Sequence, residues 1–258
     1  MNKRINLNAD LGECFGPWKM GEDEALLQVV ASANIACGFH AGDPLVMRRT
    51  VRTALDAGVS LGAHPAWPDL QGFGRRQMKM APAELEAMVI YQIGALAGIA
   101  AAEGSRVTHV KPHGALNNQA CEDAALADAI ARAVKAADPA LILLAPALSE
   151  LHKAGERAGL RVAAEIFADR AYTDAGTLVP RDQPGAVIHD HDALTAHVLR
   201  MLDAGGIVTV GGRTLPCRMD SICVHGDTPG AVDSARQLRA ALQAAGWQVV
   251  PLPQVLDL

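Results

Sequence analysis

The stretch Asn34-Ile-Ala-Cys-Gly-Phe-His-Ala-Gly-Asp-Pro44 indicates how the chain is built. It starts as a short apolar run, then breaks into small and titratable residues, and a helical pattern follows from Leu45. A buried strand that ends in such a cluster is how α/β proteins present reactive groups at the carboxyl edge of a parallel sheet. The stretch therefore predicts a strand, a functional turn, and a helix with Asp43 as its N-cap and Pro44 in its first position.

The same construction recurs at three other places along the chain. Gly62-Ala-His-Pro65, Lys111-Pro-His-Gly114 and Val224-His-Gly-Asp-Thr-Pro229 each place a histidine beside glycine or proline at the end of an apolar run. Strand and helix patterns alternate with the period of about 30 residues that is typical of βαβ units. Because the units show no two-half arrangement, they predict an α/β fold, an irregular TIM-like (β/α) barrel with about seven parallel strands, rather than an open sheet.

Other segments complete the predicted architecture. A helix is predicted for Glu22 to Ala33, another for Cys121 to Ala137, and a β-hairpin for Gly206 to Pro216. No Pro/Ser-rich linker or shift in composition marks a boundary, so we expect residues 1–258 to form a single β/α barrel domain. Half of the residues are hydrophobic but only 3% are aromatic, which predicts a core of Ala, Val, Leu and Ile.

Composition and charge argue against several classes of function. The formal charge is −5, from 23 basic and 28 acidic residues, and no Lys/Arg cluster follows a helix face, so nucleic acid is not an expected partner. The segment Met1–Asp10 lacks the apolar region of a signal peptide, and the apolar region Val89–Ala102 is expected to be too short for a membrane span. The five cysteines include no Cys-x-x-Cys pair, which favours a reducing, cytoplasmic location.

The four histidine-bearing strand ends would meet at one mouth of a parallel barrel. A single histidine there is commonly a hydrogen-bonding turn residue, and an aspartate before proline is commonly a helix cap, which explains Asp43 and Asp227 equally well. That interpretation does not explain why four of the nine histidines occupy equivalent positions, so a shared site is favoured. Candidate ligands for a divalent metal, drawn from separate strands, are Asp10, His40, His64 and His113.

Longer motifs carry a resemblance to a known family. They are the stretch 34–44, Asn8-x-Asp-x-Gly-Glu13, Gly62-Ala-His-Pro65, Gly72-Phe-Gly-Arg-Arg76, Val110-Lys-Pro-His-Gly-Ala-Leu-x-Asn117, Glu165-x-Phe-Ala-Asp-Arg170 and Cys223-Val-His-Gly-Asp-Thr-Pro229. These motifs are distributed along essentially the whole chain, and in them the chain resembles the LamB/YcsF family. The resemblance implies an irregular β/α barrel related to the glycoside hydrolase/deacetylase group. It also implies the activity of the A subunit of 5-oxoprolinase, which opens 5-oxoproline to L-glutamate with ATP and Mg, together with subunits B and C.

The implied reaction suggests roles for the residues at the mouth. A lactam is a poor electrophile, and phosphorylation of its oxygen would let water attack the ring carbon. This chemistry needs a base, an acid for the ring nitrogen, and cationic or N–H groups for the phosphate. We predict that the catalytic residues are Asp10, Glu13, His40, His64, Lys111, His113 and His225. We predict that substrate or phosphate is bound by Asn8, Asp43, Arg75, Glu165, Arg170 and Asp227.

Two alternatives remain open at this point. The chain could hydrolyse an amide or N-acetyl group with a divalent metal and without ATP, or it could be a non-catalytic subunit that only binds the substrate. The sequence contains no P-loop, no Gly-x-Gly-x-x-Gly after a strand and no His-Glu-x-x-His. Neither a nucleotide site nor a metal site therefore has a local signature in this chain.

Overall fold

Parallel strands form the centre of the computed structural model, which describes residues 3–224 and 230–256. The strands, in chain order, are β1 (Arg4–Leu11), β2 (Ser32–Ala36), β3 (Ser60–His64), β4 (Val107–Val110), β5 (Ile142–Pro146), β6 (Arg161–Phe167), β7 (Gly206–Val208), β8 (Thr214–Pro216), β9 (Ser221–Val224) and β10 (Gln248–Val249). Strands β1 to β6 pair in sequence, β6 pairs with β9, and β9 returns to β1. Seven strands thereby close a parallel barrel, which confirms the predicted α/β fold.

Helices cover the outside of this barrel. They are α1 (Asp23–Leu27), α2 (Pro44–Asp56), α3 (Pro82–Ala102), α4 (Gly114–Glu122), α5 (Ala124–Ala137), α6 (Glu150–Arg157), α7 (His191–Ala204), α8 (Ala231–Ala244) and α9 (Leu252–Val255). Asp43 caps α2 as predicted, because its Oδ1 accepts hydrogen bonds from the backbone N–H groups of Leu45 and Val46 at 2.8 and 3.0 Å. The predicted hairpin is also confirmed, since β7 and β8 pair antiparallel.

Two helix predictions have wrong bounds. Helix α1 ends at Leu27 instead of Ala33, because the chain from Ser32 onward pairs between β1 and β3 as strand β2. Helix α4 begins at Gly114 instead of Cys121, and Asp123 then separates it from α5 by capping the second helix. The first turn of α4 therefore follows β4 directly and lies at the mouth of the barrel.

Strand β1 shows how the barrel interior is built. Apolar residues such as Ile5 and Leu7 are buried and alternate with Asn6, Asn8 and Asp10. Successive side chains of a strand point to opposite faces, so the apolar set packs against the helices and the polar set faces the interior. Barrel interiors are usually filled by branched aliphatic side chains. Here buried amides and hydroxyls hydrogen-bond to one another across the barrel.

Helix α3 corrects one expectation about length. At 21 residues it is long and apolar enough, by length and composition, to cross a membrane, although the apolar region Val89–Ala102 was expected to be too short. Its Gln92 is fully buried, and the side-chain amide bonds to both the N–H and the carbonyl of Ala66 at 2.9 Å. The helix packs against α5 and the barrel. These contacts bury one face of the helix.

Candidate active site

A buried lysine lies at the floor of the mouth. Lys111, at the end of β4, is 2% exposed, and its Nζ lies 3.0 Å from Asp10 Oδ1 and 2.9 Å from Glu165 Oε1. Burial alone would lower the pKa of Lys111, but the charges of the neighbouring carboxylates raise it well above its usual value. The ammonium group therefore stays charged. It is oriented further by Asn8 Oδ1 at 3.3 Å and by the Cys223 sulfur at 3.1 Å.

Three histidines and Glu13 meet beside this lysine. His40 Nε2 lies 3.0 Å from Glu13 Oε1, and the His40 and His113 rings stack with their centroids 3.8 Å apart. His64 Nε2 lies 3.0 Å from His113 Nδ1 and 3.3 Å from Asp10 Oδ2. The strand ends of β1, β2, β3 and β4 thus bring six of the seven predicted catalytic side chains, Lys111 included, into one cluster.

Two backbone carbonyls fix the tautomers of these histidines. His64 Nδ1 lies 2.6 Å from the carbonyl of Lys111, and His113 Nε2 lies 2.9 Å from the carbonyl of Phe73. A carbonyl only accepts hydrogen bonds, so both of these ring nitrogens carry the proton. In neutral rings the facing atoms, His64 Nε2 and His113 Nδ1, then present lone pairs to each other. A proton or a metal cation between them resolves this opposition.

The pKa shifts agree with neutral imidazoles. Burial lowers the pKa of His113 well below its usual value, and the neighbouring His40 and His64 lower it further. Burial, followed by the charge of His64, does the same to the pKa of His40. Burial raises the pKa of Glu13, and the Asp10 carboxylate adds to that rise while His113 opposes it. The cluster therefore combines the neutral imidazoles of His40 and His113 with a carboxyl group that holds its proton more tightly than usual.

The same cluster has the composition of a metal site. One ligand atom from each of Glu13, His40, His64 and His113 can be chosen so that all four lie within 4.8 Å of one another. Imidazole nitrogens with one carboxylate suit zinc or a similar transition metal better than magnesium. Ligand histidines usually donate their other N–H to a backbone carbonyl, as His64 and His113 do here. Glu13 takes the place predicted for Asp10, whose Oδ1 bonds to Lys111 and Asn34.

A cavity of about 820 Å³ opens above this floor. Arg170 lines it and is 6% exposed, and its guanidinium donates to the carbonyls of Ala186 at 3.3 Å and Val179 at 2.6 Å. Within residues 3–224 and 230–256, no carboxylate lies at ion-pair distance from that guanidinium. Burial lowers the pKa of Arg170, and repulsion from the nearby Arg181 lowers it further. A buried arginine of this kind is suited to an anionic ligand.

A loop from β3 to α3 closes one side of the cavity. Arg75 lies in this loop and lines the cavity, with its guanidinium 5.1 Å from the centre of the Phe73 ring. Phe73 has a positive φ of 54°, which turns its carbonyl towards His113. The sequence drew attention to this loop because of its arginines. The role of the Phe73 carbonyl in orienting His113 could not be predicted, because the only sequence feature near it is the pair of flanking glycines.

Three predicted binding residues lie behind or beside the cavity wall. Glu165 is fully buried and bonds to Lys111 and Asn8, so both residues position the lysine instead of lining the cavity. Asp43 lies outside the cavity, where its carboxylate accepts from backbone N–H groups of α2 and from Gly16 at 2.8 Å. These bonds lower the pKa of Asp43. The predicted residues His225 and Asp227 lie outside the described part of the chain.

Sequence and structure comparisons agree on the family. The family model described as LamB/YcsF family matches residues 5–257. The chain belongs to the LamB/YcsF family. It is 77% identical over 252 residues to a protein named as the A subunit of 5-oxoprolinase, from Azoarcus sp. (strain BH72), covering 98% of each chain. A solved structure, that of the lactam utilization protein from Thermus thermophilus, superposes with a TM-score of 0.91 at 45% identity, covering 96% of this chain and 99% of that one.

A more distant solved structure shares the fold alone. A peptidoglycan N-acetylglucosamine deacetylase matches with a TM-score of 0.50 and 16% identity, covering 98% of this chain and 87% of that one. This likeness agrees with the expected relation of the LamB/YcsF barrel to deacetylase barrels. At this identity it says nothing about the reaction of the present chain.

Proposed function

We propose that the chain opens the lactam of 5-oxoproline to L-glutamate in an ATP-dependent reaction, as the A subunit of a 5-oxoprolinase that also includes subunits B and C. One observation carries the proposal: a charged lysine and an acid–histidine cluster form the floor of a cavity whose wall holds Arg170 without a carboxylate partner among the described residues. The names of the similar proteins support the same substrate class. The five cysteines are free thiols, and we propose the cytoplasm as the location.

The proposed chemistry begins with transfer of a phosphoryl group from ATP to the lactam oxygen, which gives ADP. Water then adds to the ring carbon, and the ring C–N bond breaks as the nitrogen takes up a proton. This leaves an acyl phosphate, which a second water hydrolyses to the carboxylate of glutamate and inorganic phosphate. ATP is therefore consumed to convert a stable amide into a reactive carbonyl derivative. The phosphoryl donor would bind as its magnesium complex.

The cluster supplies a base and an acid for these steps. Asp10 Oδ1 is held by Lys111 and Asn34, so Oδ2 faces His64 Nε2. We assign His64 Nε2 as the acceptor of the proton from water, with Asp10 stabilising the imidazolium that forms. Glu13, with its raised pKa, is assigned as the acid that protonates the ring nitrogen. Lys111 would stabilise the negative charge that develops on the carbonyl oxygen of the acyl phosphate when the second water attacks.

The wall of the cavity holds the anionic end of the substrate in this proposal. Arg170 would bind the carboxylate of 5-oxoproline with two parallel N–H···O bonds, because its guanidinium is desolvated and lacks a carboxylate partner within the described chain. Arg75, on the loop between β3 and α3, would bind the phosphoryl group. The reacting ring would then lie between the basic wall and the acidic floor.

Reconstitution of the three subunits tests the proposal. The assay measures glutamate and ADP released from 5-oxoproline by the wild-type chain with subunits B and C. We expect both products in equal amounts, and we expect Asp10→Asn and His64→Gln to reduce the rate at least about a hundredfold while the fold is retained. His189→Ala, at an exposed position, is the matched control. Full coupled activity of the folded Asp10→Asn variant would rule out these roles.

A second candidate function follows from the metal-like geometry of Glu13, His40, His64 and His113. A bound divalent ion would supply Lewis acidity towards an amide oxygen, which suits hydrolysis of an amide without ATP. The chain's own contribution would be to hold the cation with three imidazoles, two of which have tautomers fixed by backbone carbonyls. The opposed lone pairs of His64 and His113 favour this candidate.

Metal analysis separates the two candidates. Zinc should bind the wild-type chain with a stoichiometry near one and raise its melting temperature, and His113→Ala should lose both effects while His189→Ala keeps them. Glutamate release with zinc but without ATP would establish the second candidate. Zinc binding with strict ATP dependence would instead place a metal within the first. Full activity after complete removal of metal by a chelator would exclude a metal role.

A further inference from the structure

Helix α4 presents a side chain to the cavity that the proposed chemistry has not used. Asn117 lies one helical turn after His113, and Cys121 lies one turn further along. Residues four apart in a helix share one face, and all three line the cavity. Asn117 therefore belongs to the wall next to the histidine cluster.

The amide of Asn117 is buried and lacks hydrogen bonds. The residue is 5% exposed, and its Oδ1 is inaccessible to water and accepts no hydrogen bond. Neither atom of this amide bonds to any residue in 3–224 or 230–256. The other buried amides of the interior behave differently, since those of Asn8 and Asn34 bond at both their oxygen and their nitrogen. A buried amide without partners is unfavourable, which indicates that its partner is a ligand.

We propose that Asn117 recognises the amide of the lactam ring, an inference that rests on the proposed function. A five-membered lactam has a cis amide, so its N–H donor and its C=O acceptor lie on the same edge. A primary amide offers the complementary pair, with Oδ1 accepting from the ring N–H and Nδ2 donating to the ring oxygen. Because Oδ1 is inaccessible in the unliganded chain, this pairing requires rotation about the broad terminal torsion of Asn117, which brings both amide atoms to the cavity when the ligand binds.

This pairing makes Asn117 a specificity-determining residue. Arg170 recognises only the carboxylate, which many metabolites share. Asn117 would distinguish a lactam from a lactone of the same shape, because a ring oxygen cannot donate to Oδ1 and would face it with lone pairs. The two contacts together would select a small ring that carries both a carboxylate and an unsubstituted cis amide.

The test compares two probes of nearly identical shape. The probes are 5-oxoproline and its lactone isostere, 5-oxotetrahydrofuran-2-carboxylate, and their dissociation constants are measured by calorimetry for the chain within the three-subunit enzyme. We expect the wild type to prefer the lactam by about tenfold to a hundredfold. Asn117→Ala should remove this preference by weakening lactam binding. The matched control Asn118→Ala changes the exposed neighbouring asparagine and should keep the preference.

A second variant guards against misfolding as an explanation. Asn117→Leu keeps a similar volume and removes the buried polar atoms, so it should raise the melting temperature of the unliganded chain while it abolishes the preference. The inference is wrong if either folded variant retains the wild-type preference or binds both probes more weakly by the same factor. In that case glutamate release by the wild type would still support the proposed function. If the wild-type enzyme neither binds 5-oxoproline nor releases glutamate, both proposals fail.

Discussion

Replacement of Lys111 by methionine should destabilise the protein more than any surface substitution. The ammonium group makes two ion pairs, at 3.0 Å with Asp10 and 2.9 Å with Glu165, each about 5 to 6 kcal/mol at an effective dielectric constant of about 20. Desolvation of the lysine offsets most of this attraction. The variant, however, leaves the fully buried Glu165 without its cation, and breaking a buried pair costs about 3 to 5 kcal/mol.

Urea denaturation monitored by circular dichroism measures this loss. The control Lys153→Met breaks an exposed pair with Glu150 at 2.7 Å and should cost less than about 1 kcal/mol. In the double variant Lys111→Met/Glu165→Gln the unpaired charge is gone, and about 2 kcal/mol should be recovered. A cost below about 1 kcal/mol would refute the reasoning.

The other predictions concern single side chains. Arg170→Met should raise the KM for 5-oxoproline about tenfold to a hundredfold in steady-state assays of the three-subunit enzyme, because a charge-assisted pair to the substrate is lost; an unchanged KM would contradict it. Burial lowers the pKa of His109 to about 3, below the unfolded value of about 6.5, so the unfolded chain takes up this proton first as the pH falls. The wild type should therefore lose about 1.4 kcal/mol of unfolding free energy per pH unit through His109 below pH 6.5, and His109→Gln should show a slope one proton shallower in urea titrations from pH 7 to 4. Asp43→Ala should lose about 1 kcal/mol of stability because it removes the cap of α2, and it should retain coupled activity. Asp43→Asn should lose less stability. A loss of activity in the folded Asp43→Ala variant would show that Asp43 does contribute to ligand binding.

The recurrence of histidines at strand ends predicted much of the site. His40 follows β2, His64 ends β3 and His113 follows β4, and a closed parallel barrel brings the ends of neighbouring strands together. Their convergence therefore follows from the barrel topology, which the regular alternation of strand and helix patterns in the sequence indicated. Glu13 was predicted at the mouth but not among the candidate metal ligands, because its side-chain direction depends on how the chain turns after β1, and local sequence does not determine that direction.

Side-chain roles were harder to predict than positions. Asn8, Asp43 and Glu165 were grouped with the binding residues because they stand near strand ends. The structure separates them: Asp43 bonds to backbone N–H groups outside the cavity, and Asn8 and Glu165 hold Lys111 from behind. A strand alternates its faces every residue, but which buried polar residues reach the open mouth depends on barrel closure and depth.

A chain of hydrogen bonds through the polar interior of the barrel fixes the orientation of the dipoles around Lys111. This chain extends to the far side of the molecule. Asn6 donates to the carbonyl of Val250 and accepts from Ser221, and Ser221 in turn accepts from Asn8. Each donor and acceptor is already assigned, so reversing one amide would force its neighbours to reverse. Asn8 consequently turns its oxygen towards Lys111 before any ligand arrives. The segment that follows β10 thus acts as an anchor for the dipoles beneath the reacting groups, and little reorganisation is needed when charge develops above them.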